Sequence, residues 1–343
     1  MAEYILSHTG EEIDALFGEN CTRFGNSSHA EGGETEASGD YAHAEGYKTH
    51  ATNAKAHAEG DQCVASGDSS HAEGDETVAS GKQAHAEGHL TQALGSSSHA
   101  EGKNTQAIGY HSHAEGELSM ATGNNSHAEG QNTKALGFGT HTEGQNTEAL
   151  GMFSHAEGDG STAGDSEDDF AGYASHAEGY HTKAIGYHSH AEGNGTKAVG
   201  EESHAEGYGT IANNKGEHAC GRFNVSNTGE NDADKTIFSV GIGDYSARKN
   251  GFEVRENGDA YIWLNNSYVR LQDVFNSIGG GSGAPILPMP DMTQYATKDY
   301  VDSKIGDINT ILESIIGSGS YYYGLAQYSE EELLNIVDKA LGE

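Results

Sequence analysis

Small and variable residues alternate along most of the chain. Between residues 26 and 221 the pattern reads Ser/Thr-x-Ala-x-Gly-x-x and repeats every seven residues, and the two positions after each glycine are mostly polar. Alternation with a period of two is typical of a β-strand. Glycine at the strand end suits a tight corner, which needs a positive φ. The pattern therefore predicts short strands joined by two-residue corners.

The seven-residue units come in pairs. His recurs every 14 residues from His29 to His155 and from His176 to His218, mostly within His-Ala-Glu-Gly, and the alternate units read Thr-x-Ala-x-Gly. So long a repeat indicates a solenoid. A coiled coil is excluded because each glycine costs a helix roughly 1 kcal/mol and the recurring residues are too small for a seam. We predict an all-β fold with a parallel solenoid of 14-residue turns, with Ser, Thr and Ala inside.

The two x positions of each Ser/Thr-x-Ala-x-Gly unit should point outward. In one of the two strands of each turn, these positions hold nearly the same residues throughout the repeat. They are His and Glu in thirteen of fourteen turns, whereas the other strand varies. A face exposed to solvent needs no such uniformity, so we expect this one to pack against copies of the chain. The predicted interface ladder consists of His29, Glu31, His43, Glu45, His57, Glu59, His71, Glu73, His85, Glu87, His99, Glu101, His113, Glu115, His127, Glu129, His155, Glu157, His176, Glu178, His190, Glu192, His204 and Glu206.

Three roles are open to the His and Glu residues. In the first, His of one chain donates to Glu of the next and offsets the repulsion between stacked carboxylates. In the second, cations lie on the symmetry axis, with His99, His113 and His127 as ligands. The third is catalysis. Zinc favours three or four converging ligands, which one repetitive chain does not display. We therefore predict a structural ladder without metal or cofactor, in a protein that is not an enzyme.

The repeat resembles the head repeats of trimeric autotransporter adhesins and similar repeats in bacteriophage tail fibres. The resemblance covers residues 26–221 and implies a left-handed parallel β-roll packed as a homotrimer. The chain departs from adhesin heads at the outward positions, where it carries His and Glu in place of aliphatic residues.

The chain is strongly acidic, with a net charge of −35 from 53 acidic and 18 basic residues. This charge repels nucleic acid and anionic membranes. No basic segment leads into an apolar one at the N-terminus, and no apolar run reaches membrane-spanning length. We therefore expect a phage protein, made in the host cytoplasm without a signal peptide and located in the virion as a tail appendage. Cys21, Cys63 and Cys220 lie far apart and predict packed thiols without a disulfide framework.

Less regular segments flank the repeats. Residues 1–25 are a leader or cap with a short helix after a capping box at residues 9–12. The acidic insertion after Gly158 predicts a surface loop. Residues 222–278 predict a small β-rich module, with a strand at 236–243, a hairpin of 252–255 and 260–263 around Asn257 and Gly258, and a short helix through Val269, Val274 and Ile278.

The C-terminal part predicts a second trimeric element. A flexible linker, 279–295, precedes a coiled coil, 296–317, whose first residues, 296–302, are similar to a phage tail-fibre sequence. Apolar residues at both core positions favour three strands. The predicted core is Val301, Ile305, Ile308, Leu312 and Ile315. Residues 318–343 combine an amphipathic helix with Tyr321, Tyr322 and Tyr323, which are either receptor contacts or trimer packing.

The predicted function is that of a homotrimeric tail fibre or spike that is both structural and receptor-binding. Its expected partners are other virion tail or baseplate proteins and a host cell-surface glycan or protein. One alternative is a spike that degrades polysaccharide, but glycosidases need two carboxylates flanking a cleft and the roll offers only rows. The other alternative is a cell-surface trimeric adhesin.

Overall fold

The computed structural model describes residues 21–165, 171–229 and 231–278. Several sequence predictions lie outside these residues: the leader helix, the linker, the coiled coil with Val301, Ile305, Ile308, Leu312 and Ile315, the tyrosines Tyr321, Tyr322 and Tyr323, and the C-terminal amphipathic helix. Within the described part, no helix is both long and apolar enough to cross a membrane.

The repeat folds as the predicted parallel β-solenoid. Strands alternate between two sheets, and each sheet gains one strand per 14-residue turn. The odd-numbered strands form the short-strand sheet: β1 Thr22–Arg23, β3 Glu36–Ala37, β5 His50–Ala51, β7 Val64–Ala65, β9 Val78–Ala79, β11 Gln92–Ala93, β13 Gln106–Ala107, β15 Met120–Ala121, β17 Lys134–Ala135, β19 Glu148–Ala149, β21 Thr162–Ala163, β23 Lys183–Ala184, β25 Lys197–Ala198 and β27 Ile211–Ala212.

The even-numbered strands form the second sheet, called here the His–Glu sheet. They are β2 His29–Gly33, β4 His43–Tyr47, β6 His57–Asp61, β8 His71–Asp75, β10 His85–His89, β12 His99–Lys103, β14 His113–Ala114, β16 His127–Ala128, β18 His141–Thr142, β20 His155–Asp159, β22 His176–Tyr180, β24 His190–Asn194, β26 His204–Tyr208 and β28 His218–Arg222. Equivalent residues pair directly, as His85 does with His99.

Small side chains fill the space between the two sheets. The strand alanines, such as Ala100 and Ala107, are fully buried. The corner serines are also buried, and their hydroxyls donate to a glycine carbonyl three residues earlier, as Ser98 Oγ does to Gly95 O at 2.7 Å. The prediction that Ser, Thr and Ala face inward is therefore confirmed.

The repeated glycines are required mainly because successive turns lie close together. A Cβ at Gly95 would lie 1.9 Å from the Gly109 carbonyl oxygen, although the φ of Gly95 is not positive. Gly102 has φ +101° and meets the next turn in the same way. After Gly95 the left-handed residue is instead the second corner residue, Ser97, with φ 55°. The expectation that glycine supplies the positive φ is thus wrong for the Thr-x-Ala-x-Gly units.

The insertion leaves the two sheets in register. β20 pairs with β22 and β21 pairs with β23, so residues 21 apart replace residues 14 apart. An insertion that continued as a half-turn would have exchanged the two sheets downstream. The strands instead keep their sheets, as a loop insertion predicts. The extra residues follow Gly164 and not Gly158, because Ser161 is buried at its usual position and Thr162 and Ala163 form the regular strand β21.

The segment after the solenoid extends the His–Glu sheet. β29 Thr236–Ile242 pairs in parallel with β28, and β30 Asn250–Arg255, β31 Ala260–Leu264 and β32 Ser267–Arg270 follow as antiparallel neighbours. A 3-10 helix, Asp232–Asp234, precedes β29, and α1, Leu271–Ile278, follows β32. The predicted strand and hairpin are confirmed.

The predicted start of the last helix is wrong. Val269 lies on β32, and the helix begins at Leu271. Asn265 and Asn266 have φ values of 48° and 62°, which is the backbone of a two-residue hairpin turn. This second hairpin places Val269 opposite Ile262, so the chain cannot be helical there.

Candidate functional site

The His and Glu side chains form one continuous face of the solenoid. From His43 onward each imidazole ring stacks on the ring of the next turn, with centroid distances of 4.5–4.9 Å. The stack continues across the insertion, where His155 and His176 are 4.8 Å apart. The structure thus brings all the predicted ladder residues together in one chain.

Three residues of this face were missing from the predicted ladder. His141, Glu143 and His218 occupy the same row. The 14-residue spacing identifies all three, although Thr142 replaces the usual Ala and Cys220 replaces the usual Glu in those turns.

Each imidazole lies beside carboxylates of its own chain. His99 Nε2 is 3.9 Å from an oxygen of Glu87 in the preceding turn and 3.9 Å from an oxygen of Glu101 in its own turn. These separations allow electrostatic attraction but exceed hydrogen-bond length. His and Glu side chains are therefore already close to one another within one chain. A hydrogen bond from His of one chain to Glu of another stays a prediction.

Burial favours the neutral form of seven imidazoles in the row. Burial, reinforced by the neighbouring imidazoles, lowers the pKa below its ordinary value of 6.5 for His43, His71, His99, His113, His127, His155 and His204. For His127 the neighbour is His141. Protonating the row would place positive charges one turn apart, so the stack is compatible only with mostly uncharged rings.

The carboxylates line a long groove beside the imidazole row. Its volume is about 1170 Å³, and alternating Glu and Gly residues from Glu59 to Gly158 form its walls. Within the row, hydrogen bonds with Glu143 and Glu178 raise the pKa of Glu157 to about 8. The Glu157 carboxyl thus holds a proton near neutral pH. The groove presents carboxylate acceptors to hydrogen-bond donors or to cations.

The face has ligand atoms for metals but poor geometry for them. In groups such as His127, Glu129 and His141, one ligand atom from each residue lies within 4.8 Å of the others. However, the ring planes of His99, His113 and His127 differ by only 4° and 1° between neighbours. Parallel rings direct their lone pairs in parallel, whereas zinc needs nitrogen atoms converging at about 2.0–2.1 Å.

One buried carboxyl group at the end of the solenoid was not predicted from the sequence. Glu217 occupies the position of the corner serine and is fully buried. Its Oε2 accepts hydrogen bonds from the backbone of Asn213 and Asn214 at 2.9 Å and from Ser226 Oγ at 2.7 Å. Burial nevertheless raises its pKa to about 7. The signal was the replacement of Ser before His218, and the residue anchors the last turn to the following module.

Comparison with known families supports the expectation drawn from the repeat. Residues 58–84, 86–112 and 114–140 each match the YadA head domain repeat. These three segments of the solenoid are therefore similar to YadA head repeats. No curated protein matches the chain. The matched segments include the central part of the His–Glu face. The His and Glu residues that replace the aliphatic residues of adhesin heads therefore occur within segments that match the head repeat.

Proposed function

We propose that the protein is a homotrimeric attachment protein without enzymatic activity, in which the solenoid is a rigid spacer. The observation that carries this proposal is the in-register His–Glu face within YadA head repeats. The opposite sheet shows no such constancy, since Gln106, Met120, Lys134 and Glu148 occupy equivalent outward positions. A uniform face is suited to contact with identical neighbours around an axis.

A second surface competes for the role of trimer interface. Leu94, Ile108 and Val199 on the outer side of the short-strand sheet are 37%, 38% and 38% exposed. Burying aliphatic side chains would stabilise an assembly through the hydrophobic effect. We assign the interface to the His–Glu face because its pattern departs only at Cys220 in the last turn, whereas the other row has polar residues at Ser66, Ser80 and Thr122 in place of the aliphatic residue.

The setting in which the trimer acts is proposed on two grounds. Similarity of residues 296–302 to a phage tail-fibre sequence supports a phage tail appendage bound to virion tail or baseplate proteins. The YadA head repeats favour a second candidate, a cell-surface adhesin. Immunogold labelling distinguishes the two: label on the tails of purified particles supports the first, and label on cell envelopes without particles supports the second.

Binding to the host surface is assigned to residues after 221. Turns of the solenoid are interchangeable, whereas only the later segment is irregular enough to form a unique pocket. We propose a pull-down with host cells that compares the full chain with a variant lacking residues 99–126, which are two complete turns. Equal binding supports the assignment. Lost binding by a variant that remains trimeric would move the receptor site into the solenoid.

A further inference from the structure

A small cavity in the module after the solenoid collects cationic and aromatic side chains. It has a volume of about 290 Å³, and its lining includes Arg248, Lys249, Arg255, Trp263 and Tyr268. The lower end of the usual range for small-molecule pockets is about 300 Å³. The cavity therefore suits a ligand of about one sugar ring.

Basic residues are concentrated in this module. Residues 222–278 are about a sixth of the chain but contain six of its 18 Lys and Arg residues: Arg222, Lys235, Arg248, Lys249, Arg255 and Arg270. Three of the six line the cavity. The module also contains eight acidic residues, so it is close to neutral, whereas the whole chain has a net charge of −35.

The one carboxylate in the cavity is already fully engaged. Glu253 is 1% exposed and accepts hydrogen bonds from Thr236 Oγ1 at 2.7 Å, from Arg255 Nε at 3.1 Å and from the Tyr268 hydroxyl. Arg255 balances its charge. Among the described residues no carboxylate lies within 4.0 Å of Arg248 or Lys249, so the cavity keeps a net positive charge.

The fold also holds these cations in place. Lys249 Nζ lies 3.8 Å from the centroid of the Trp263 ring. Arg248 Nη1 donates to the carbonyl oxygens of Gly209 at 2.7 Å and Asn224 at 3.2 Å. Side chains that are positioned before binding lose less entropy when a ligand arrives.

We propose that this cavity binds an acidic sugar, a pyranose that carries a carboxylate. The carboxylate pairs with Lys249 and Arg248 through charge-assisted hydrogen bonds, and the sugar ring packs against the aromatic wall at Trp263. The inference rests on the proposed attachment function, for which it names the receptor class.

Titration calorimetry of the full chain with glucuronate tests the proposal, with glucose and inorganic phosphate as comparison ligands. We expect glucuronate to bind, glucose not to bind, and added salt to weaken binding. Lys249→Gln should weaken glucuronate binding about tenfold or more, because a charge-assisted bond is lost. Lys235→Gln is the matched control, since Lys235 pairs with Asp232 and does not line the cavity.

The following outcomes would overturn the inference: no binding of glucuronate, equal binding of glucose, binding of phosphate in place of glucuronate, or equal losses in the two variants. Host-cell binding by the same proteins separates this inference from the proposed function. Cell attachment that neither glucuronate nor Lys249→Gln reduces would refute the acidic-sugar site alone. Binding of glucuronate by a protein that attaches to no host surface would refute the attachment function alone.

Discussion

The imidazole rings of His99 and His113 lie 4.8 Å apart with their planes inclined by 4°. This contact repeats from turn to turn and gives the His–Glu face its regularity. It also fixes how the face responds to protons and to metals, because stacked rings disfavour both added charge and convergent coordination.

Protonation of the row should destabilise the protein. The folded-state pKa of His113 lies below its unfolded value, so the unfolded state takes up protons first as the pH falls below about 6.5. Glu157 and Glu217 act in the opposite direction, since their raised pKa values favour the folded state on acidification. The difference between variants is therefore the useful readout.

We expect His113→Asn to lose less stability between pH 7 and pH 5 than the parent protein, measured as the melting temperature by circular dichroism. The control is His111→Asn at a corner position where Asn occurs in other turns, such as Asn104 and Asn125. It should follow the parent curve. An identical pH dependence in the parent and His113→Asn would contradict the proposed cost of protonating the row.

Close stacking of turns should make Gly95 intolerant of a side chain. Gly95→Ala places a Cβ 1.9 Å from a backbone oxygen, and we expect a loss of about 2–3 kcal/mol in the free energy of unfolding. Gly216 has a positive φ, but a Cβ added there would meet no atom within 4 Å. Gly216→Ala should cost only about 1 kcal/mol. Equal losses in denaturant unfolding would show that the next turn accommodates a methyl group at Gly95 and would contradict the proposed role of the distance between turns.

Removal of metal should leave the solenoid unchanged. Parallel imidazoles of one chain do not converge on a common ion. Because we assign no ion to the trimer axis, exhaustive chelation is expected to leave the melting temperature where it was, and elemental analysis should find no stoichiometric metal. A fall of tens of degrees that added zinc or nickel reverses would establish cations as part of the assembled face.

Deletions of different length should separate folding from assembly. Loss of residues 99–112 removes one complete turn and keeps every His on the same sheet. Loss of residues 99–105 removes half a turn, which keeps the small buried residues in phase but moves the later His residues to the other sheet. We expect both variants to fold by far-UV circular dichroism, and only the half-turn variant to lose the trimer. An intact trimer in both would show that a continuous His–Glu face is not required for assembly.

Much of the solenoid was predictable because the same 14-residue spacing recurs in every regular turn. The 14-residue spacing predicted the pairing of His85 with His99 and the burial of Ala100. The features that were predicted wrongly depend on turns that occur only once in the described chain. Asn265 and Asn266 make a turn that alternation alone did not reveal, so Val269 was assigned to a helix.

The two candidate sites, the His–Glu face and the cavity, also differ in how far the sequence predicted them. Repetition predicted the His–Glu face but not its stacking within one chain, because ring geometry depends on side-chain rotamers as well as spacing. The cavity around Lys249 and Trp263 was not predicted at all. Its residues come from separated strands and connecting segments, and only pairing of β30, β31 and β32 brings them together.

The native mass of the full chain in solution tests the central claim most directly. Light scattering at micromolar concentration should give about three times the chain mass of 36.0 kDa, because the solenoid core contains only small side chains and the His–Glu face is suited to a symmetric contact. A stable species of 36.0 kDa would contradict the trimer and the role assigned to its His–Glu face.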